Sequence, residues 1–190
     1  MKTPMRIALA IAAIISFELA TDRLARSQSD PNDPNPTPFE GIARVLQSPR
    51  CMNCHPSGDA PLQTDASRPH KQNIKRVFSS LGGTCMTCHQ AAPLPDPNTP
   101  PGAPHWTMPP AETPMVFQGK SVAELCEGLK DPDQNGHRSL DDLVHHVSSD
   151  PLVLWGFNPG AGRTTPPMSH EAFIALMSEW VSLGAPCPTN

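Results

Sequence analysis

Two five-residue segments carry most of the chemistry in this sequence: Cys51-Met-Asn-Cys54-His55 and Cys85-Met-Thr-Cys88-His89. They hold four of the six cysteines. Cysteines separated by two residues serve three chemistries: a redox disulfide, part of a zinc site, or attachment of a porphyrin through two thioethers. The histidine directly after the second cysteine separates them. A redox pair has no use for it and expects a strand–helix setting that is absent here. Zinc needs four nitrogen or sulfur ligands, and leaves unexplained a histidine at the same offset in both copies. A haem bonded to both cysteines takes the adjacent imidazole as its proximal iron ligand. The segments therefore predict two covalent haems c, on Cys51 and Cys54 and on Cys85 and Cys88, with His55 and His89 as proximal ligands.

The sixth ligand separates electron transfer from catalysis, because a strong ligand closes the iron to substrates. His70 follows His55 by 15 residues and His105 follows His89 by 16, each directly after a proline. A loop of that length can round a porphyrin edge and return on its far side. Bis-histidine ligation through His70 and His105 is the expectation. Met115 and Met108 compete for the second haem, and Met168 is a further candidate. His145 and His146 read as surface residues, and His137 and His170 as exposed. Arg68, Lys71, Lys75 and Arg76 cluster around His70 as a docking patch or a solvated face.

Cys126 and Cys187 remain. In an oxidising compartment their pairing is the simplest arithmetic. Between them, Asp131 to Asp142 has the oxygen spacing of a calcium loop, with Gly136 at the turn. Asp142 stands where glutamate is expected and Arg138 where an apolar residue is usual, so a polar turn capped by Ser139 is the preferred reading over calcium.

The elements that must position these residues are short helices between proline-rich loops. Thr37-Pro38-Phe39-Glu40 reads as a capped helix start, with Phe39, Ile42, Ala43 and Leu46 on one face. A second helix is predicted through Ile74, Val77, Phe78 and Leu81, ending at Gly82-Gly83. The two helices, each leading into a motif, suggest a duplicated unit. Residues 91–114 read as loop. Ser121 with Glu124 opens a helix to about Lys130, and Ser139 opens one with Leu140, Leu143, Val144 and Val147 on its face. Ser169 opens the last helix, with Phe173, Leu176, Met177 and Trp180 on its face and Gly184 as its stop. No stretch alternates long enough for a confident strand. The fold class is mostly α, cytochrome c-like, its loops wrapped around two haems.

The chain has 190 residues, 25 prolines, no tyrosine and a net charge of −4. Such a composition makes a thin core unless the haems supply an apolar centre. It lacks the strongly basic face that nucleic-acid binding requires. Lys2 and Arg6 precede an apolar run, Ile7 to Phe17, that is too short to span a bilayer. Residues 1–27 are read as a secretory signal peptide cleaved near Gln28, residues 28–38 as a flexible tether and 39–190 as the dihaem domain. Membrane attachment is expected only if the signal is retained. The predicted location is the periplasm.

The stretches CMNCHPSGDAPLQ, CMTCHQ, PGAPHW, DPLVLWGFNPG and WVSLGAPCP resemble small dihaem c-type cytochromes of the kind labelled isoquinoline 1-oxidoreductase cytochrome subunits. The likeness covers most of residues 40–188. It implies a protein that accepts electrons from a partner oxidoreductase, a molybdenum hydroxylase, and passes them to a respiratory acceptor. No molybdopterin or iron–sulfur motif occurs here, so hydroxylase chemistry would belong to the partner. The tail also resembles the closing helix of monohaem cytochromes c, where a methionine before that helix ligates iron; Met168 is the residue that matches. The rival expectation is a haem enzyme such as a peroxidase, with one iron left open.

Overall fold

The computed structural model describes residues 38–80, 84–94, 96 and 98–188. The expected signal peptide, nearly all of the tether, Thr37 and Leu81–Gly83 lie outside the described residues. Among those described, no helix is long and apolar enough to cross a membrane.

Helix α1, Pro38–Leu46, begins on the predicted proline and buries Phe39, Ile42, Ala43, Val45 and Leu46. Its main partner is the last helix, α8, His170–Ser182, which buries Phe173, Met177 and Trp180. Phe39 and Trp180 meet at 5.1 Å between ring centroids. Helix α2, Pro49–Met52, is a single turn entered through Ser48. A two-residue hairpin follows, β1 Leu62–Gln63 against β2 Arg68–Pro69, with Leu62 opposite Pro69. The predicted helix before the second motif leaves Ile74 outside it and is described as α3, Val77–Ser80, with Val77 and Phe78 exposed. Where described, the two approaches differ in burial: α1 buries Phe39, Ile42 and Val45, whereas Val77 and Phe78 of α3 are exposed. Cys85–Thr87 is a 3-10 turn.

The second half is helical and well capped. Helix α4, Val122–Lys130, opens on a complete Ser121–Glu124 capping box. Helix α5, Pro132–Asn135, is one turn. Helix α6, Leu140–Ser149, opens on a Ser139–Asp142 capping box. Helix α7, Pro151–Phe157, follows at once, because Asp150 ends α6 and accepts from Leu152 N–H at 2.8 Å to cap α7, with proline at its first position. Helix α8 stops where Gly184 takes φ +82°. There Gly184 N–H bonds Val181 O and Ala185 N–H bonds Trp180 O, the paired bonds of a glycine-stopped helix end. That turn brings Cys187 back to Cys126 in α4. The two are joined as a disulfide, 5.5 Å between Cα atoms.

The candidate calcium loop is a polar turn. Asp131 accepts from Asp133 N–H to cap α5. Asn135, 1 % exposed, donates to Leu129 O and Arg138 O and accepts from Arg138 N–H. Asp142 accepts from Ser139. Side-chain oxygens of Asp131, Asn135 and Asp142 are thus engaged in capping and turn-closing bonds, the arrangement expected of a polar turn capped by Ser139.

Candidate functional site

Each Cys-x-x-Cys-His segment is wound into one tight helical turn. In the first, Cys54 N–H bonds Cys51 O and His55 N–H bonds Met52 O. In the second, Cys88 N–H and His89 N–H both bond Cys85 O. Residues three apart on such a turn share a face, so both thiols of a pair point the same way. The first pair lies deeper. Burial pushes the Cys51 thiol up to about 12. Burial also pushes Cys54 up, to about 11, with Arg50 pulling against it and Cys85 adding to it, so the two motifs approach one another near Cys54. Cys88 of the second pair is exposed.

Both histidines are oriented in the same manner. His55 Nδ1 lies 2.8 Å from Met115 O, and His89 Nδ1 lies 2.7 Å from Pro101 O. A carbonyl only accepts, so in each ring Nδ1 carries the proton and Nε2 keeps its lone pair. Burial pushes the His55 imidazole down to about 4 and lowers that of His89, so both are neutral near pH 7. Each ring is also stacked: His55 on Phe117 at 4.1 Å, and His89 on Trp106 at 4.4 Å with planes 4° apart.

The carbonyls and the stacking rings all come from residues 101–117, within and just beyond the predicted proline-rich loop. Arg76, its side chain 6 % exposed, holds this stretch by donating to Pro109 O at 2.6 Å. Phe117 N–H bonds His55 O at 2.9 Å. Met115 sits at φ +46°, a left-handed conformation that a non-glycine residue adopts at some cost. At Gly102, a Cβ would collide with the backbone carbonyls of Gln90 and Ala92. Gly102→Ala is expected to lower stability by about 1–3 kcal/mol, because neither obstacle is a side chain that can turn aside. A urea midpoint within error of the wild type would show that this close approach is absent in solution.

Among the described residues, five buried side-chain atoms have no hydrogen-bond partner: Ser48 Oγ, Arg50 Nε, Asn53 Oδ1, His70 Nδ1 and Trp155 Nε1. Three belong to residues in or beside the first motif. Arg50 pairs with Asp65, and its guanidinium lies 5.8 Å over Trp155, which meets Trp106 edge-on at 4.7 Å. Arg50 Nε and Trp155 Nε1 are donors without an acceptor. Among the described residues no three His, Cys, Asp or Glu side chains gather as a metal-binding group. A tetrahedral zinc site is therefore not assembled there. The donor set suits a group that brings its own equatorial ligands and its own carboxylates, as a haem does: paired thiols, one imidazole lone pair beside each pair, and buried donors nearby.

The other expected site residues are placed as follows. His70 lies beside His89, with ring centroids 6.2 Å apart. His105 is exposed at φ +59°, while its neighbour Trp106 covers His89. Met115 serves the first motif through its backbone, and its side chain packs on the core. Met108 is half-buried, and Met168 packs against the core. His145 and His137 are exposed. His146 is half-buried, 3.4 Å from Asp150. His170, expected to be exposed, lies against Phe157 and bonds Val147 O. Of the basic cluster, Arg68, Lys71 and Lys75 are exposed, whereas Arg76 is an interior latch.

Sequence reasoning missed Trp106, Phe117, Arg50 and Trp155. Two of the three tryptophans contact this region, and Arg50 directly precedes Cys51; scarce aromatics near a cofactor motif were the available signal. Comparison with family models, curated proteins and solved structures gives no match to this chain.

Proposed function

We propose that the protein is an exported dihaem c-type cytochrome that carries single electrons between partner proteins. The observation that carries this reading is the repeated arrangement of paired thiols in one turn beside an imidazole whose Nδ1 is tied to a backbone carbonyl. When bound, each haem would take one electron from a donor as ferric iron becomes ferrous, and give it to an acceptor in the reverse change, with no bond made or broken in either partner.

The chain's own residues hold and tune the group. Cys51, Cys54, Cys85 and Cys88 would carry the thioethers, and His55 and His89 would ligate through Nε2. Arg50 and Trp155 offer buried N–H donors to the carboxylates. Phe117 and Trp106 keep water from one face of each imidazole. The second motif is nearer the surface, and exposed Arg68, Lys71 and Lys75 flank His70 close to it. This edge suits docking to an acidic partner. By the sequence resemblance, the donor would be a molybdenum hydroxylase and the acceptor a respiratory protein, both met in the periplasm.

The test is mass spectrometry of protein produced with a cytochrome c maturation system and extracted with acidified acetone. Two haem masses should stay on the chain. Release of all haem into the acetone would remove the proposal. Rapid peroxide turnover by the untouched holoprotein would favour the enzyme instead.

A further inference from the structure

We propose that His70 and His89 are the two axial ligands of one iron, so that the loop following the first motif closes the haem carried by the second. The proposal rests on reading residues 85–89 as a covalent haem site. Sequence spacing alone assigns His70 to the motif that precedes it. The fold takes it elsewhere. The β1–β2 hairpin turns the chain back, His70 N–H bonds Pro61 O at 3.1 Å, and the imidazole lies beside that of His89.

The separation of the two rings is the main argument. Metal–imidazole bonds are about 2 Å and a ring nitrogen lies about 1.2 Å from its ring centre, so two imidazoles on opposite sides of one metal have centroids about 6.4 Å apart, whichever nitrogen binds. The observed centroids are 6.2 Å apart, with ring planes inclined by 52°. The second argument is an orphan: His70 Nδ1 is buried and has no hydrogen-bond partner. A buried ring nitrogen in that condition calls for a ligand, and metal coordination is one. His89 offers its Nε2, since its Nδ1 is held by Pro101. The third argument is number. With no group of three or more ligating side chains among the described residues, the pair alone would hold a free metal ion poorly. Two axial ligands are all that an iron in a porphyrin still needs.

The experiment uses holoprotein and two single-haem forms, Cys51→Ala/Cys54→Ala and Cys85→Ala/Cys88→Ala, each with and without His70→Ala. Low-temperature EPR and carbon monoxide uptake are read on all of them. In the form that keeps only the second haem, His70→Ala should turn the iron from low-spin to high-spin. Carbon monoxide uptake should rise from near zero to one equivalent, and added imidazole should restore the low-spin signal. In the form that keeps only the first haem, His70→Ala should change nothing. A response confined to the first haem, or no response in either, overturns the proposal while leaving covalent haem attachment intact. If a single-haem form does not accumulate, NMR of the two-haem protein decides. The hyperfine-shifted ring protons lost in His70→Ala should contact the haem bound at Cys88; contacts to the haem at Cys54 refute the assignment. Absence of covalent haem at residues 85–89 in the wild type would instead remove the underlying reading.

Discussion

Trp180→Ala should cost about 3–5 kcal/mol and lower the melting midpoint by about 10 °C, the largest effect expected of any single core truncation here. Trp180 is fully buried at the crossing of α1 and α8, 5.1 Å from Phe39. Its indole N–H donates to Pro186 O at 3.0 Å. Truncation removes the ring from the crossing and leaves that carbonyl without its donor, so the cavity and the orphaned acceptor act together. Thermal melts followed by circular dichroism would measure the loss. A change below about 1 kcal/mol would mean that the α1–α8 crossing is not where the core is anchored.

Cys187→Ser should cost about 4 kcal/mol. The disulfide closes a separation of 61 residues, and chain-entropy arguments assign that loop a stabilisation of this size. The bridge ties α4 to the segment after α8, and neither cysteine belongs to a Cys-x-x-Cys-His motif. The variant should therefore lose stability, read as a lowered urea midpoint, and, if the proposed haems are attached, should keep an unchanged haem-to-protein ratio. Alkylation of unfolded, unreduced wild type gives an independent check: label on Cys126 or Cys187 would show an open bridge in solution.

The helices that sequence reasoning placed well are those with a polar cap and a long apolar face. Ser121, Ser139 and Ser169 each open a helix where expected, and Gly184 closes the last one. Helix α7 carries the same kind of signal, Asp150 followed by Pro151, but its apolar run of Leu152, Val153, Leu154 and Trp155 shows no face by which periodicity could identify it. The helix before the second motif starts later than its apolar pattern suggests, and Val77 and Phe78, core residues by type, are exposed. For the site, the two Cys-x-x-Cys-His segments are legible because their pattern is a fixed local spacing, and each forms one tight turn. The surroundings of the histidines are not. Two of their partners are backbone carbonyls, which have no letter in the sequence. The position of His70 depends on a hairpin too short to leave an alternating pattern.

The stretch 101–117 serves both histidines in the same order, a carbonyl first and a ring shortly after: Pro101 and Trp106 for His89, Met115 and Phe117 for His55. The orientation of the imidazoles is thus written in chain length more than in side-chain identity. Exchanging one residue between 107 and 114 for another leaves both carbonyls in place. Inserting or deleting one there shifts the phase of Met115 and Phe117 against Pro101 and Trp106, and the prolines, with φ fixed, leave little slack to absorb it. A one-residue change of length in this stretch would act as two lesions at once, whereas most substitutions in it would go unnoticed at both histidines.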